Sequence, residues 1–207
     1  MIEKKKYSQN DEDLIIINFF NEKKGTLLSL GENDGKTFSN ALALIELGWD
    51  ATLVEPSKLA FAKLHELHKG NENVFLINAA VGNEVGTMML HESGHHLPDK
   101  SDVALLSSLD EDETKKWKKA GVTYDSYHVD VIPFEALAFR DYDFITIDCE
   151  GLDIDILKQI DLTNVQLICI EWNSIMANKL VILEYCAQFG MDKVIYESGE
   201  NLLICRK

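Results

Sequence analysis

The sequence has no apolar run approaching the roughly 20 residues of a membrane-spanning helix. It has no Cys-x-x-Cys pair either: Cys149, Cys169, Cys186 and Cys205 stand far apart, without metal-finger spacing. Cys149, Cys169 and Cys205 fall in apolar strand-like runs, where a cysteine packs as a small hydrophobe. All four are read as reduced, which suits a cytoplasmic protein. Basic residues are scarce, 20 against 35 acidic ones, giving a net charge of -15. A surface so negative repels phosphate backbones and anionic headgroups, which argues against nucleic acid and against a membrane as partner. No internal repeat or linker is found, and 207 residues suit one domain, 1–207, with one substantial core.

The opening has the outline of a secretion signal, with Lys4, Lys5 and Lys6 ahead of an apolar stretch from Leu14 to Phe20. Asp11, Glu12 and Asp13 stand between the two parts, Asn18 interrupts the stretch, and no small-residue cleavage site follows. The segment 1–25 is read instead as an N-terminal helix, capped near Asn10 or Asp11.

What the sequence does contain is a strand and helix rhythm. Thr26 to Leu30 reads as a strand, Ser39 to Leu47 as a helix stopped by Gly48, and Ala51 to Val54 as a second strand. Ser57 caps a helix closed by Gly70, and Val74 to Ala80 is a third buried strand. His65 and His68 are placed on the solvated face of that helix. This is βαβαβ, the pattern of a parallel doubly wound sheet.

Between residues 82 and 138 the rhythm loosens. Short strands are expected at Thr87 to His91 and Tyr127 to Ile132, and a charged helix from Asp110 to Ala120. Such an insertion is where substrate loops and lids tend to lie, so it is expected to bind the substrate and to be mobile. Regularity returns with a strand from Tyr142 to Ile147, a short helix from Ile154 to Ile160, a strand from Val165 to Ile170 and a helix from Ile175 to Phe189. The strands Lys193 to Glu197 and Asn201 to Cys205 close the chain around the turn Ser198-Gly199-Glu200. The sum is an α/β Rossmann-like fold: a seven-stranded, mostly parallel sheet with one antiparallel strand and helices on both faces.

In such a sheet, ligands bind at the carboxyl ends of the strands, where the strand order reverses. After the first strand comes Gly31-Glu32-Asn33-Asp34-Gly35, whose glycines permit a tight turn and a close backbone approach. Such a turn is also plain strand-to-helix punctuation. Glu55 ends the next strand, 20 residues after Gly35, where a carboxylate accepts hydrogen bonds from both ribose hydroxyls of an adenosine. The competing reading is a surface glutamate ahead of a proline turn at Pro56. The turn and Glu55 together favour an adenosine-type cofactor.

A dinucleotide needs Gly-x-Gly-x-x-Gly, but the middle glycine is Asn33 here, and Asp34 carries negative charge towards a diphosphate. The Walker pattern is absent too, since Gly35-Lys36-Thr37 has Leu30 where that pattern needs its first glycine. A positively charged sulfonium cofactor without phosphate suits acidic residues better.

A second cluster, Asp148 and Glu150 with Glu171 and Asn173, stands at the ends of the fourth and fifth strands. It is fit to hold an amino group, to orient a hydroxyl or to accept its proton. Asp148, Glu171 and Asn173 also make an oxygen-rich set suited to Mg²⁺. Helix capping is the alternative for these carboxylates. His91, His95, His96 and His128 gather in the insertion, and a histidine there could act as a base. Trp117 and Trp172 are read as pocket lining or core. The candidate catalytic residues are Asp148, Glu150 and His91.

At these residues the sequence resembles the FkbM-type methyltransferases, a branch of the S-adenosylmethionine-dependent class I fold. The resemblance runs from about Tyr7 to the C-terminus. It rests on Ser8-Gln9-Asn10-Asp11-Glu12-Asp13, Gly31-Glu32-Asn33-Asp34-Gly35 with Ser39-Asn40, Gly48-Trp49 and Val54-Glu55-Pro56. Ala79-Ala80-Val81-Gly82, Ser107-Ser108, Ile147-Asp148-Cys149-Glu150-Gly151 and Glu171 complete it. The resemblance implies S-adenosylmethionine as cofactor, with Gly31, Glu32, Asn33, Asp34, Gly35, Ser39, Asn40, Glu55, Pro56, Ala80, Val81 and Asp148 around it. It implies O-methylation of a sugar or small natural product, with Mg²⁺ assistance or a non-catalytic cofactor-binding module as alternatives. Ser29 departs from the family, which carries an acidic residue there to hold the cofactor's amino group; Glu32 is the candidate substitute.

Overall fold

Apolar side chains alternate along the central strands, so one set faces each side of the sheet. The computed structural model describes residues 6–21, 23–94 and 103–206. Its elements run α1 (Glu12–Phe20), β1 (Thr26–Leu30), α2 (Leu42–Glu46), β2 (Asp50–Val54), α3 (Lys58–Leu67) and β3 (Val74–Ile77). Next come β4 (Ala80–Gly82), β5 (Gly86–Ser93), α4 (Glu111–Lys119), β6 (Tyr124–Pro133) and a 3₁₀ turn (Phe134–Leu137). The chain ends with β7 (Phe144–Ile147), α5 (Asp153–Leu157), β8 (Leu167–Glu171), α6 (Met176–Ala187), β9 (Lys193–Glu197) and β10 (Asn201–Cys205).

The main sheet has seven strands in the order β3-β2-β1-β7-β8-β10-β9, with β10 antiparallel to both neighbours and the other pairings parallel. Leu27, Phe144, Leu167 and Cys169 meet Ile16 and Ile17 of α1, Leu44 of α2 and Leu64 of α3 on one face. Leu28, Ile145, Ile147 and Ile168 meet Ile156 and Leu157 of α5 and Ile182 of α6 on the other. Each such side chain contributes about 1.5 to 3 kcal/mol by leaving water, so a one-residue register slip would expose a whole row.

The expected third strand, Val74 to Ala80, is in fact two. The chain leaves the main sheet after Ile77, and Ala80–Gly82 becomes β4 of a second sheet, ordered β4-β6-β5. Asn78 fixes the departure, donating to the carbonyls of Glu55 (2.7 Å) and Pro56 (3.3 Å). The insertion is more regular than its composition suggested: β5 pairs with β6 along eight residues, from Gly86↔Val131 to Ser93↔Tyr124. His95, His96 and Asp102 lie outside the described residues. His68 is not solvated; it caps the C-terminus of α3 and is buried, and burial lowers its pKa.

Glu12 and Asp13 are also buried. Glu12 accepts from Asn10, Ser198 and Asn201, tying α1 to the β9–β10 hairpin, while Asp13 binds the Tyr7 amide and the Ser8 hydroxyl. The opening motif is thus a clamp that closes the N-terminal segment onto the end of the sheet.

Candidate active site

Register places the site. Leu30 pairs with Val54 on one side and with Ile147 on the other, and Ile147 pairs with Ile170. The next residues, Gly31, Glu55, Asp148 and Glu171, therefore form a row along the carboxyl rim, spanning the reversal of strand order between β1 and β7. All four line a cleft of about 290 Å³, near the lower end of small-molecule sites, about 300 Å³.

Gly31 makes the row possible. It adopts φ +80°, and a Cβ there would lie 1.8 Å from the Asp148 carbonyl oxygen. The turn beyond it is built by its acids. Asp34 accepts from the amides of Lys36 and Thr37 and from the Thr37 hydroxyl, at 2.9, 2.7 and 2.9 Å. Its carboxylate is committed to the loop, and neither Asp34 nor Gly35 lines the cleft. Glu32 does, taking hydrogen bonds from Ser29 (2.5 Å) and Ser39 (2.6 Å). A carboxylate from the turn thus stands over Ser29, and burial raises its pKa to about 7 against the two serine hydrogen bonds. Ser39 also accepts from the amides of Ala41 and Leu42 ahead of α2, which begins at Leu42 and not at Ser39 as the sequence suggested.

Glu55 is more than a strand-end glutamate. It is buried, and accepts from the Asn33 amide (2.8 Å) and the Ser57 amide (2.6 Å). Burial raises its pKa to about 7, with Glu32 and Glu92 adding repulsion. The network continues into the second sheet, where Glu92 of β5 accepts from both the Ser57 and the Tyr127 hydroxyls at 2.5 Å.

Across the cleft, one oxygen each of Asp148, Glu150 and Glu171 lies within 4.8 Å of the others. Glu150 sits at φ +47° and Asn173 at φ +54°, left-handed backbone unusual for residues with side chains. Burial raises Asp148 to about 7 and Glu171 to about 11, with mutual repulsion adding to both. Burial also lifts Glu150 far above the carboxylate range. Neither Asp148 nor Glu150 caps α5, which has no side-chain cap; Asp153, its first residue, braces the turn before it by accepting from the Cys149 and Gly151 amides. Asn173 lines the cleft as well, and its side chain hydrogen-bonds Glu171, so it stands beside the three carboxylates.

Pro56, Ala80, Val81, Ser39 and Asn40 also line the cleft. His91 does not; its ring bonds Ser126 on the adjacent strand at 2.7 Å, which removes the geometric basis for a catalytic histidine there. The insertion closes the cleft with residues 104–109, Lys116 and Trp117, whereas Trp172 packs in the core and donates to the Ser198 carbonyl. The Ser107 and Ser108 hydroxyls hold this wall, accepting from the Ser93 amide and donating to the Glu150 carbonyl. Gln9, Phe38, Lys116 and Glu200 are among the other lining residues. Of these only Gln9 fell in a motif; the others carry no local signal, because long-range packing brings them here.

The sheet order β3-β2-β1-β7-β8-β10-β9, with β10 antiparallel, is that of the class I methyltransferase fold, and its switch point carries the carboxylate-lined cleft. Residues 29–191 match the methyltransferase FkbM domain. The chain belongs to that family, and is a methyltransferase of it. No curated protein sequence matches significantly. Solved structures similar to it include a ribosomal protein L11 methylase from Lactobacillus delbrueckii subsp. bulgaricus, with TM-score 0.52 and 14% identity over 95% of this chain and 77% of that one. Another is a Staphylococcus aureus protein provisionally assigned as a caffeoyl-CoA O-methyltransferase, with TM-score 0.52 and 12% identity over 99% of this chain and 87% of that one. At such identities the likeness is one of fold.

Proposed function

We propose that the chain transfers a methyl group from S-adenosylmethionine to a hydroxyl of a small molecule, a sugar or a natural product. The observation that carries this reading is the donor set of the rim. Glu32, Glu55 and Asp148 offer carboxylates, and among the described lining residues Lys116 is the single basic one. Phosphates are repelled there, whereas an ammonium, a sulfonium and ribose hydroxyls are all complementary. Glu55 keeps lone pairs for ribose hydroxyls beyond its two amide bonds. The Asn40 side-chain oxygen is buried in the lining without a hydrogen-bond partner, and a donor such as an ammonium satisfies it.

S-Adenosylmethionine supplies an electrophilic methyl group when bound. The chain's own contribution is alignment of the acceptor oxygen, which lowers such barriers by up to roughly 7 to 11 kcal/mol. Asp148 and Glu150 face the cleft from the turn after β7, and Asp148 is the group placed to take the hydroxyl proton, since burial lifts Glu150 far above the carboxylate range and keeps it protonated. Asp148, raised to about 7, suits that exchange near neutrality. The insertion wall of Leu105, Leu106, Leu109 and Trp117 supplies apolar surface for the acceptor. The partner this reading takes is a small hydroxyl-bearing acceptor, and no helix among the described residues is long and apolar enough to cross a membrane.

Calorimetry with S-adenosylhomocysteine and NAD in parallel, followed by a hydroxyl-acceptor screen for S-adenosylhomocysteine formation, tests the proposal. Binding of the sulfur nucleoside alone and turnover with a hydroxyl are expected. Preference for NAD would end the reading.

A further inference from the structure

We infer that Asp148, Glu150 and Glu171 form a binding site for a hard divalent cation of the Mg²⁺ or Mn²⁺ type, on the acceptor side of the cleft. The three carboxylates come from two neighbouring strand ends, β7 and β8, and converge to within 4.8 Å. Repulsion alone would drive such side chains apart, yet backbone geometry holds them: Glu150 is fixed at φ +47°, and its carbonyl is tied by the Ser108 hydroxyl at 2.7 Å.

A second observation is independent of the clustering. Glu171 is only 9% exposed, and its Oε2 is buried without a hydrogen-bond partner. A buried carboxylate oxygen left without a partner costs about 1 to 3 kcal/mol or more, and native structures rarely leave one so. Glu171 borders both the main cleft and a smaller cavity lined by Asp110, Glu113, Asp153 and Asn178. Those neighbours add three more acids and no base. Lys116 is the basic group that offsets Glu150, and a single ammonium cannot balance three carboxylates.

The donor set selects the ligand class. Three carboxylate oxygens without thiolate or imidazole suit hard ions that prefer oxygen. An ion of about sixfold coordination held by three carboxylates keeps positions for water or for an acceptor oxygen. This use of the site rests on the methyltransferase reading: the ion would orient the acceptor hydroxyl and increase its acidity, and Asp148 and Glu150 would act through it. Binding of the ion itself does not depend on any acceptor.

The test is titration of the metal-free full chain with Mn²⁺, read by the loss of the free-ion paramagnetic resonance signal, with S-adenosylhomocysteine binding measured separately on the same preparation. One Mn²⁺ per chain is expected, displaced by excess Mg²⁺, with affinity at least about tenfold weaker in Glu171→Gln and in Asp148→Asn. Thermal unfolding provides a second readout. Mn²⁺ should raise the midpoint of the wild type by linkage and leave that of Glu171→Gln unmoved, while the metal-free variant should melt no lower than the metal-free wild type, because the neutral amide is isosteric with the buried carboxyl it replaces. No bound Mn²⁺, or equal affinity in wild type and Glu171→Gln, overturns the site even where S-adenosylhomocysteine binds. Mn²⁺ binding without S-adenosylhomocysteine binding keeps the cation site and removes the functional reading instead.

Discussion

Replacing Glu55 by alanine has two opposed effects that pH separates. The carboxylate accepts from the Asn33 and Ser57 amides, and stranding two such donors costs about 1 to 3 kcal/mol each where they are buried. Against that loss stands the burial of the charge itself, which raises the group from 4.5 to about 7. An acid raised on folding contributes stability that is present below its unfolded value and is lost as pH rises through its folded value. Between pH 5 and pH 7 that loss amounts to about 2 kcal/mol for Glu55 in the wild type, and the variant escapes it. Urea unfolding should therefore find Glu55→Ala clearly destabilised at pH 5, with the gap narrowing by about 2 kcal/mol at pH 7. Calorimetry at pH 7 should find S-adenosylhomocysteine bound about 10- to 150-fold more weakly, the loss of about 1.5 to 3 kcal/mol expected for a charged acceptor. A stability gap unchanged with pH, together with affinity within about threefold of wild type, would refute the reasoning and leave Glu55 a turn residue.

Gly31→Ala should lower stability by about 3 kcal/mol or more, seen as a shifted urea midpoint, because its Cβ meets the Asp148 carbonyl between two paired strands at φ +80°; an unchanged midpoint would mean that the β1 and β7 ends move apart freely. In hydrogen exchange, α4, where Thr114 is the sole buried residue, should exchange before β7 in the free protein and slow when cofactor and acceptor bind. Protection of α4 equal to that of β7 without ligand would make the insertion a fixed wall.

The central sheet was legible because its strands are short apolar runs buried on both faces and bounded by turn residues, and β9 and β10 begin and end where the sequence placed them. Glu55 was legible as a strand end, but its burial was not, since the second sheet that covers it is assembled from residues far away in sequence. Asp34 shows the limit of reading a turn residue by charge: the direction of its carboxylate depends on the Lys36 and Thr37 amides, and these turn it into the loop. The break after Ile77 went unseen because apolar residues stand on both sides of Asn78, and apolarity does not say which of two sheets a residue joins. His68 was misplaced because Gly35, distant in sequence, packs against it.

That break has a bearing on how acceptor preference can diversify. Ala80 of β4 and Val131 of β6 are paired neighbours, so the segment between them departs from and returns to strands about 5 Å apart. Its ends are already closed, and replacing what lies between them adds little loop-closure entropy. Segment 83–130 can therefore be exchanged as a cassette among homologues while β1, β2 and β7 keep their registers. Mosaic sequences whose crossovers fall near Gly82 and Asp130 are the evolutionary signature such a joint should leave.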